Sequence, residues 1–171
     1  HRPYFTIQKE IGNMQSNQTI LKRLPHHNQI SLRGSADNIS ISLPTLPGSS
    51  IVTDNSSILW LGPDEWLVVE NIGTTPPLLK SLSSIDNLFF VDVSHNRTIL
   101  EFKGKKIREI LQKICTVDLD KDVFKKRCVI QTLIGKSQAI IFHVEEHTFN
   151  IMVRNSFVNY VEELIHVSSL N

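Results

Sequence analysis

The chain has 171 residues, 40% of them hydrophobic and 20% charged, with a formal net charge of +1. That length buries a core in one domain, and the balanced charge argues against a nucleic-acid partner. No apolar run approaches the roughly 18–20 residues needed to cross a bilayer, and the first residues lack the pattern of a secretory leader. Two cysteines, Cys115 and Cys128, are too few for a disulfide framework. The expectation is a soluble cytoplasmic protein with no membrane partner.

Residues 1–28 are polar and poorly periodic, which predicts an N-terminal arm that orders only against something else, ahead of a single domain over 29–171. The first firm signal is the alternating strand Gln29 to Gly34, followed by a loop rich in Pro44, Pro47, Gly48 and serines. Ile58 to Leu61 and Trp66 to Val69 predict two strands joined by the turn Gly62-Pro63-Asp64-Glu65. Thr75 and Pro76 predict the start of a helix whose face is Leu78, Leu79, Leu82 and Ile85. Phe89 to Val93 reads as a buried strand, and Thr98, Leu100 and Phe102 alternate along the next. From Gly104 a helix is expected, striped by Ile107, Ile110, Leu111, Ile114 and Cys115. Cys128 to Ile134 and Gln138 to Val144 flank the turn Gly135-Lys136, and Thr148 to Arg154 forms a further strand. Ser156 is the expected cap of a last helix striped by Phe157, Tyr160, Val161, Leu164 and Ile165. Runs of antiparallel strands separated by single helices give an α+β fold.

His143-Val144-Glu145-Glu146-His147 fits a zinc-peptidase pattern that needs both histidines on one helical face. Strand-like flanks place it at a hairpin tip instead, so no metal site is expected there. No glycine-rich phosphate loop and no nucleophile elbow occurs. Cys115 and Cys128 sit in apolar patterns and read as small core residues. Trp60, Asp64, Glu65 and Trp66 surround one turn and are the candidate partner-contact edge; the same pattern also describes a hairpin anchored by its indoles. Asp92 points from an apolar strand and needs a partner such as Arg97 or backbone N–H groups if it is buried.

Several strings in order resemble one family. Leu59-Trp60-Leu61-Gly62-Pro63-Asp64-Glu65-Trp66-Leu67 closely resembles a signature of the gamma-subunit family of heterotetrameric sarcosine oxidase. Val91-Asp92-Val93-Ser94 with Arg97, the stretch Lys113 to Phe124, Arg127-Cys128 with Gln131-Thr132, and Phe149 to Tyr160 resemble later segments of the same family. The resemblance runs from about Ile30 to the C-terminus. It departs from the family at a short Gly34–Pro44 segment, at His95 and at Asn155.

The resemblance implies a folate-binding-domain-like fold, related to the glycine-cleavage aminomethyltransferase, with ferredoxin-like halves. It also implies a non-catalytic subunit of an assembly that oxidatively demethylates sarcosine to glycine. By the same resemblance this chain holds no cofactor; FAD, FMN, NAD, tetrahydrofolate and zinc belong to the alpha, beta and delta subunits. Asp92-Val93-Ser94-His95 also resembles a short string of the aminomethyltransferases. This supports an alternative: a stand-alone folate-binding module using Asp92 and Arg97.

Overall fold

Period-two alternation sorts the strands into two antiparallel sheets. The computed structural model describes residues 19–35, 41–70 and 87–170. The inner sheet contains β1 (Ile20–Arg23), β7 (Arg97–Lys103), β8 (Val129–Ile134), β9 (Ser137–Glu145) and β10 (Thr148–Arg154), in the order β1-β7-β10-β9-β8. The outer sheet contains β2 (Asn28–Gly34), β3 (Ser50–Val52), β4 (Ser56–Gly62), β5 (Glu65–Glu70) and β6 (Leu88–Asp92), in the order β3-β4-β5-β2-β6. Helices α1 (Ile107–Gln112) and α2 (Val158–Ser169) lie on one face of the inner sheet. The expected antiparallel α+β layering is what the chain adopts.

Three apolar clusters hold these layers. Ile107, Ile110 and Leu111 of α1 and Val158, Val161 and Ile165 of α2 pack on Leu100, Phe102, Ile141, Phe149 and Ile151. The opposite face of the inner sheet supplies Ile99, Ile140, Phe142 and Met152, which meet Leu59, Leu67 and Val69 of the outer sheet. The far face of the outer sheet gathers Ile30, Leu32, Ile58, Trp66, Val68 and Leu88 around Leu43. Burying each such side chain contributes about 1.5–3 kcal/mol. The inner sheet is therefore apolar on both faces, and β10, with four buried residues, runs through its middle.

Several expectations change in the structure. Ile20–Arg23, assigned by composition to the polar arm, is an edge strand paired with Lys103 to Leu100, and the Leu24 N–H donates to Ile99 O at 2.8 Å. Residues 20–28 thus belong to the folded body, whereas 1–18 and the helix expected from Thr75 lie outside the described residues. Phe89 to Val93 is not a buried strand. β6 sits at the edge of the outer sheet, with Phe89 76% and Val91 61% exposed. The helix after Gly104 is only six residues long; Cys115 lies beyond it, bridged to Ile134 in the manner of a strand. Ser156 caps nothing, because the chain enters α2 through a 3₁₀ turn over Asn155–Phe157 with no side-chain cap bond.

Gly34 closes the outer sheet where three segments crowd together. Its φ of +140° suits glycine, and a Cβ there would stand 2.1 Å from the Asn87 carbonyl oxygen. Its N–H donates to Asp64 O at 3.0 Å, joining the end of β2 to the β4–β5 turn.

Candidate functional site

The β4–β5 hairpin carries the long signature string. Trp60 stands opposite Trp66, and the register slips between Trp60 and Gly62. Trp66 is 1% exposed, and its indole Nε1–H donates to the buried Pro44 carbonyl at 2.8 Å. Trp66 therefore anchors the hairpin in the core and has no surface to offer a partner. Trp60 is half-buried against the same cluster, Asp64 is exposed, and Glu65 pairs with Arg33 at 3.1 Å. Of the four predicted contact residues, Asp64 is exposed and Trp60 and Glu65 are partly so.

The junction between β6 and β7 is built on Ser94. The Gln29 N–H donates to Ser94 Oγ at 2.9 Å, and the Ser94 hydroxyl donates to Asp92 Oδ1 at 2.5 Å. The Ser94 N–H reaches the same oxygen at 2.9 Å, and these bonds hold the Asp92 carboxyl below the usual carboxylate range. Asp92 is exposed and finds its partner in Ser94, so the backbone N–H alternative is realised and an Asp92–Arg97 pair is not. Asn155 ties this junction to the last helix. It accepts from Thr98 Oγ1 at 2.7 Å and donates through Nδ2 to His95 O at 2.6 Å. The position that departs from the family string is thus a bracket between two loops.

Arg97 points elsewhere. It faces Arg154 directly across the β7–β10 ladder. Burial, then the charge of Arg154, lowers its pKa, and Glu65 opposes this in part. The two arginines line a cleft of about 430 Å³ at the end of the inner sheet. Sequence reasoning named Arg97 but not Arg154, because fifty-odd residues of chain separate two positions that only the ladder register unites.

The His143 to His147 string forms a β-hairpin, as its flanks predict. His143 is 3% exposed on β9, whereas His147 lies beyond the tip and is exposed. The His143 ring packs 4.7 Å from Phe149 and 5.8 Å from Phe124, centroid to centroid. Arg108 lies 5.0 Å above Phe149 and donates to the Leu119 carbonyl and, at 3.1 Å, to Phe124 O. Among the described residues no three His, Cys, Asp or Glu side chains converge on a metal position. Burial pushes the Cys115 thiol up to about 11, which keeps it protonated and unreactive at neutral pH.

Burial also lowers the His143 pKa below its ordinary 6.5. The unfolded chain then binds the proton more readily than the folded one. The contribution of neutral His143 is fully present above about 6.5 and is lost as the pH falls toward the depressed folded value. Urea unfolding at a series of pH values is expected to show stability declining below pH 6.5. His143→Phe should flatten that decline; an identical profile in the variant would remove His143 as its source.

Two stacked antiparallel sheets with helices on one face place the chain in the aminomethyltransferase class of folds. Aminomethyltransferase T of the glycine cleavage system from Bartonella henselae superposes with a TM-score of 0.62, covering 88% of this chain and 46% of that one. At 12% identity the likeness is of fold alone. A chain of the heterotetrameric sarcosine oxidase from Corynebacterium sp. U-96, solved in complex with pyrrole 2-carboxylate, superposes with a TM-score of 0.79. It is 25% identical, with 88% of this chain and 84% of that one covered.

Among curated proteins, sarcosine oxidase subunit gamma of an Arthrobacter species is 26% identical over 159 residues, 86% of this chain and 76% of that protein. The subunit of the same name from Corynebacterium sp. strain P-1 is 28% identical over 109 residues, which span 63% of this chain and 53% of its own length. The model of the sarcosine oxidase gamma subunit family matches residues 36–170. The chain belongs to that family.

Proposed function

We propose that the chain is the gamma subunit of a heterotetrameric sarcosine oxidase and serves there as a non-catalytic component packed on the larger, flavin-bearing chains. The assembly demethylates sarcosine oxidatively to glycine. Its FAD, FMN, NAD, tetrahydrofolate and zinc reside on the alpha, beta and delta subunits. The observation that carries this reading is the structural match to a chain of a heterotetrameric sarcosine oxidase over 88% of this chain and 84% of that one.

The chemistry of the chain supports the same reading. Its buried histidine is enclosed by phenylalanines and its Cys115 thiol is held protonated, so neither is poised for covalent or acid–base work. The hairpin edge formed by Trp60, Asp64 and Glu65 is the proposed contact, together with the polar residues preceding β1. Partner interfaces use half-buried aromatics ringed by charge.

Co-expression of the four subunits tests this. Asp64→Arg and a deletion of residues 1–18 are each expected to reduce co-purification with the larger chains at least tenfold. Undiminished assembly in both variants would refute these contacts. Turnover of sarcosine by the lone chain with added flavin would refute the non-catalytic role. Tetrahydrofolate binding by the lone chain would favour the stand-alone module instead.

A further inference from the structure

The face of the inner sheet that looks toward the outer sheet ends in a pair of arginines without an ion pair among the described residues. Arg97 on β7 and Arg154 on β10 are direct cross-strand neighbours. Like charges opposite one another destabilise a ladder. Among the described residues neither guanidinium makes a hydrogen bond or an ion pair. Glu65, the carboxylate that acts on Arg97, is already paired with Arg33. A half-buried guanidinium without an anion is costly unless some state of the protein supplies one.

Below this pair the cleft has an apolar floor. Met152 stands opposite Ile140, and Ile140 opposite Gln131, in the row next to the arginines. Gln131 Nε2 donates to the Leu61 carbonyl at 2.9 Å, closing the side toward the β4–β5 hairpin. The volume of about 430 Å³ is within the range of small-molecule sites, roughly 300–1,000 Å³. A guanidinium is a planar fork that matches a carboxylate with two parallel hydrogen bonds. An inorganic ion would satisfy the forks but leave the apolar floor unfilled.

We propose that this cleft binds a small organic acid, its carboxylate held between Arg97 and Arg154 and its carbon body resting on Ile140 and Met152. The site lies on this chain alone, so its failure would leave the proposed assembly role untouched. The floor also supplies a probe. The chain has two methionines, Met14 and Met152, so methyl-¹³C-methionine labelling of the full chain gives two signals, assigned by Met14→Leu.

Titration with benzoate at constant ionic strength is expected to move the Met152 methyl saturably and to leave Met14 in place. Acetate, which lacks the apolar body, is expected to bind at least tenfold more weakly. Arg97→Gln and Arg154→Gln should each weaken benzoate at least tenfold. Sodium chloride alone should not reproduce the shift. Absence of a saturable Met152 shift, or an affinity for benzoate in both variants equal to that of the parent chain, would overturn the proposal. Arg154 is exposed, so Arg154→Gln leaves a folded test protein even where Arg97→Gln does not.

Discussion

Trp66→Ala is expected to lower the stability of the chain by about 3–5 kcal/mol, read as a fall in the urea midpoint with an unchanged slope. Two effects add. The indole is 1% exposed among Ile30, Leu32, Ile58, Val68 and Leu88, so its removal leaves a cavity that stiff neighbouring strands do not refill. Its N–H also satisfies the Pro44 carbonyl, and a buried acceptor left unpaired costs about 1–3 kcal/mol. Trp66→Phe separates the two, because it keeps most of the bulk and loses only the bond. Trp60→Ala is expected to cost less, since Trp60 is only half-buried. If Trp66→Ala behaved like a surface substitution, within about 0.5 kcal/mol, the anchoring role of the hairpin would be wrong.

Phe149→Ala is expected to have an effect of similar size on the other side of the molecule, about 3–5 kcal/mol. Phe149 is fully buried on the central strand and meets Phe124 and His143 edge to face at 5.6 and 4.7 Å. Its ring also lies under the Arg108 guanidinium, a contact worth about 0.5–2 kcal/mol. Against a typical total of about 5–15 kcal/mol, either alanine variant leaves a marginal fold. Phe149→Leu, which keeps an apolar body, should recover most of the loss. Equal denaturant midpoints for Phe149→Ala and the parent would contradict this packing.

Much of this architecture was legible from residue order. The alternation of Thr98, Leu100 and Phe102, or of Phe149, Ile151 and Val153, reports a strand with one face on a core, and Gly135-Lys136 marks the hairpin between β8 and β9. Ile20–Arg23 was not legible because an edge strand needs only backbone pairing, and its side chains are mostly exposed. Phe89 to Val93 misled for the converse reason: an apolar run looks the same at a sheet edge as in its middle. The candidate site was readable only in pieces. Arg97 stands out in the local pattern, but its neighbour is set by the β7–β10 register, a property of the folded sheet that no local pattern contains. Asp92 lies near Arg97 in sequence, yet the turn at Ser94 satisfies the carboxylate locally and leaves the guanidinium to another face.

The strand orders also dictate a timetable for a chain made from its N-terminus onward. Every member of the outer sheet comes from residues 28–92, so that layer has all its strands before β8, β9 and β10 of the inner sheet are made. The inner layer has no such early closure. Among these strands β1 emerges first yet must wait for β7, and β7 and β9 stay apart until β10, the last strand in chain order, slides between them. A nascent polypeptide stopped short of residue 148 would hold half a sandwich and two unjoined ribbons. The step that commits the whole body to its native form therefore belongs to the segment that carries β10.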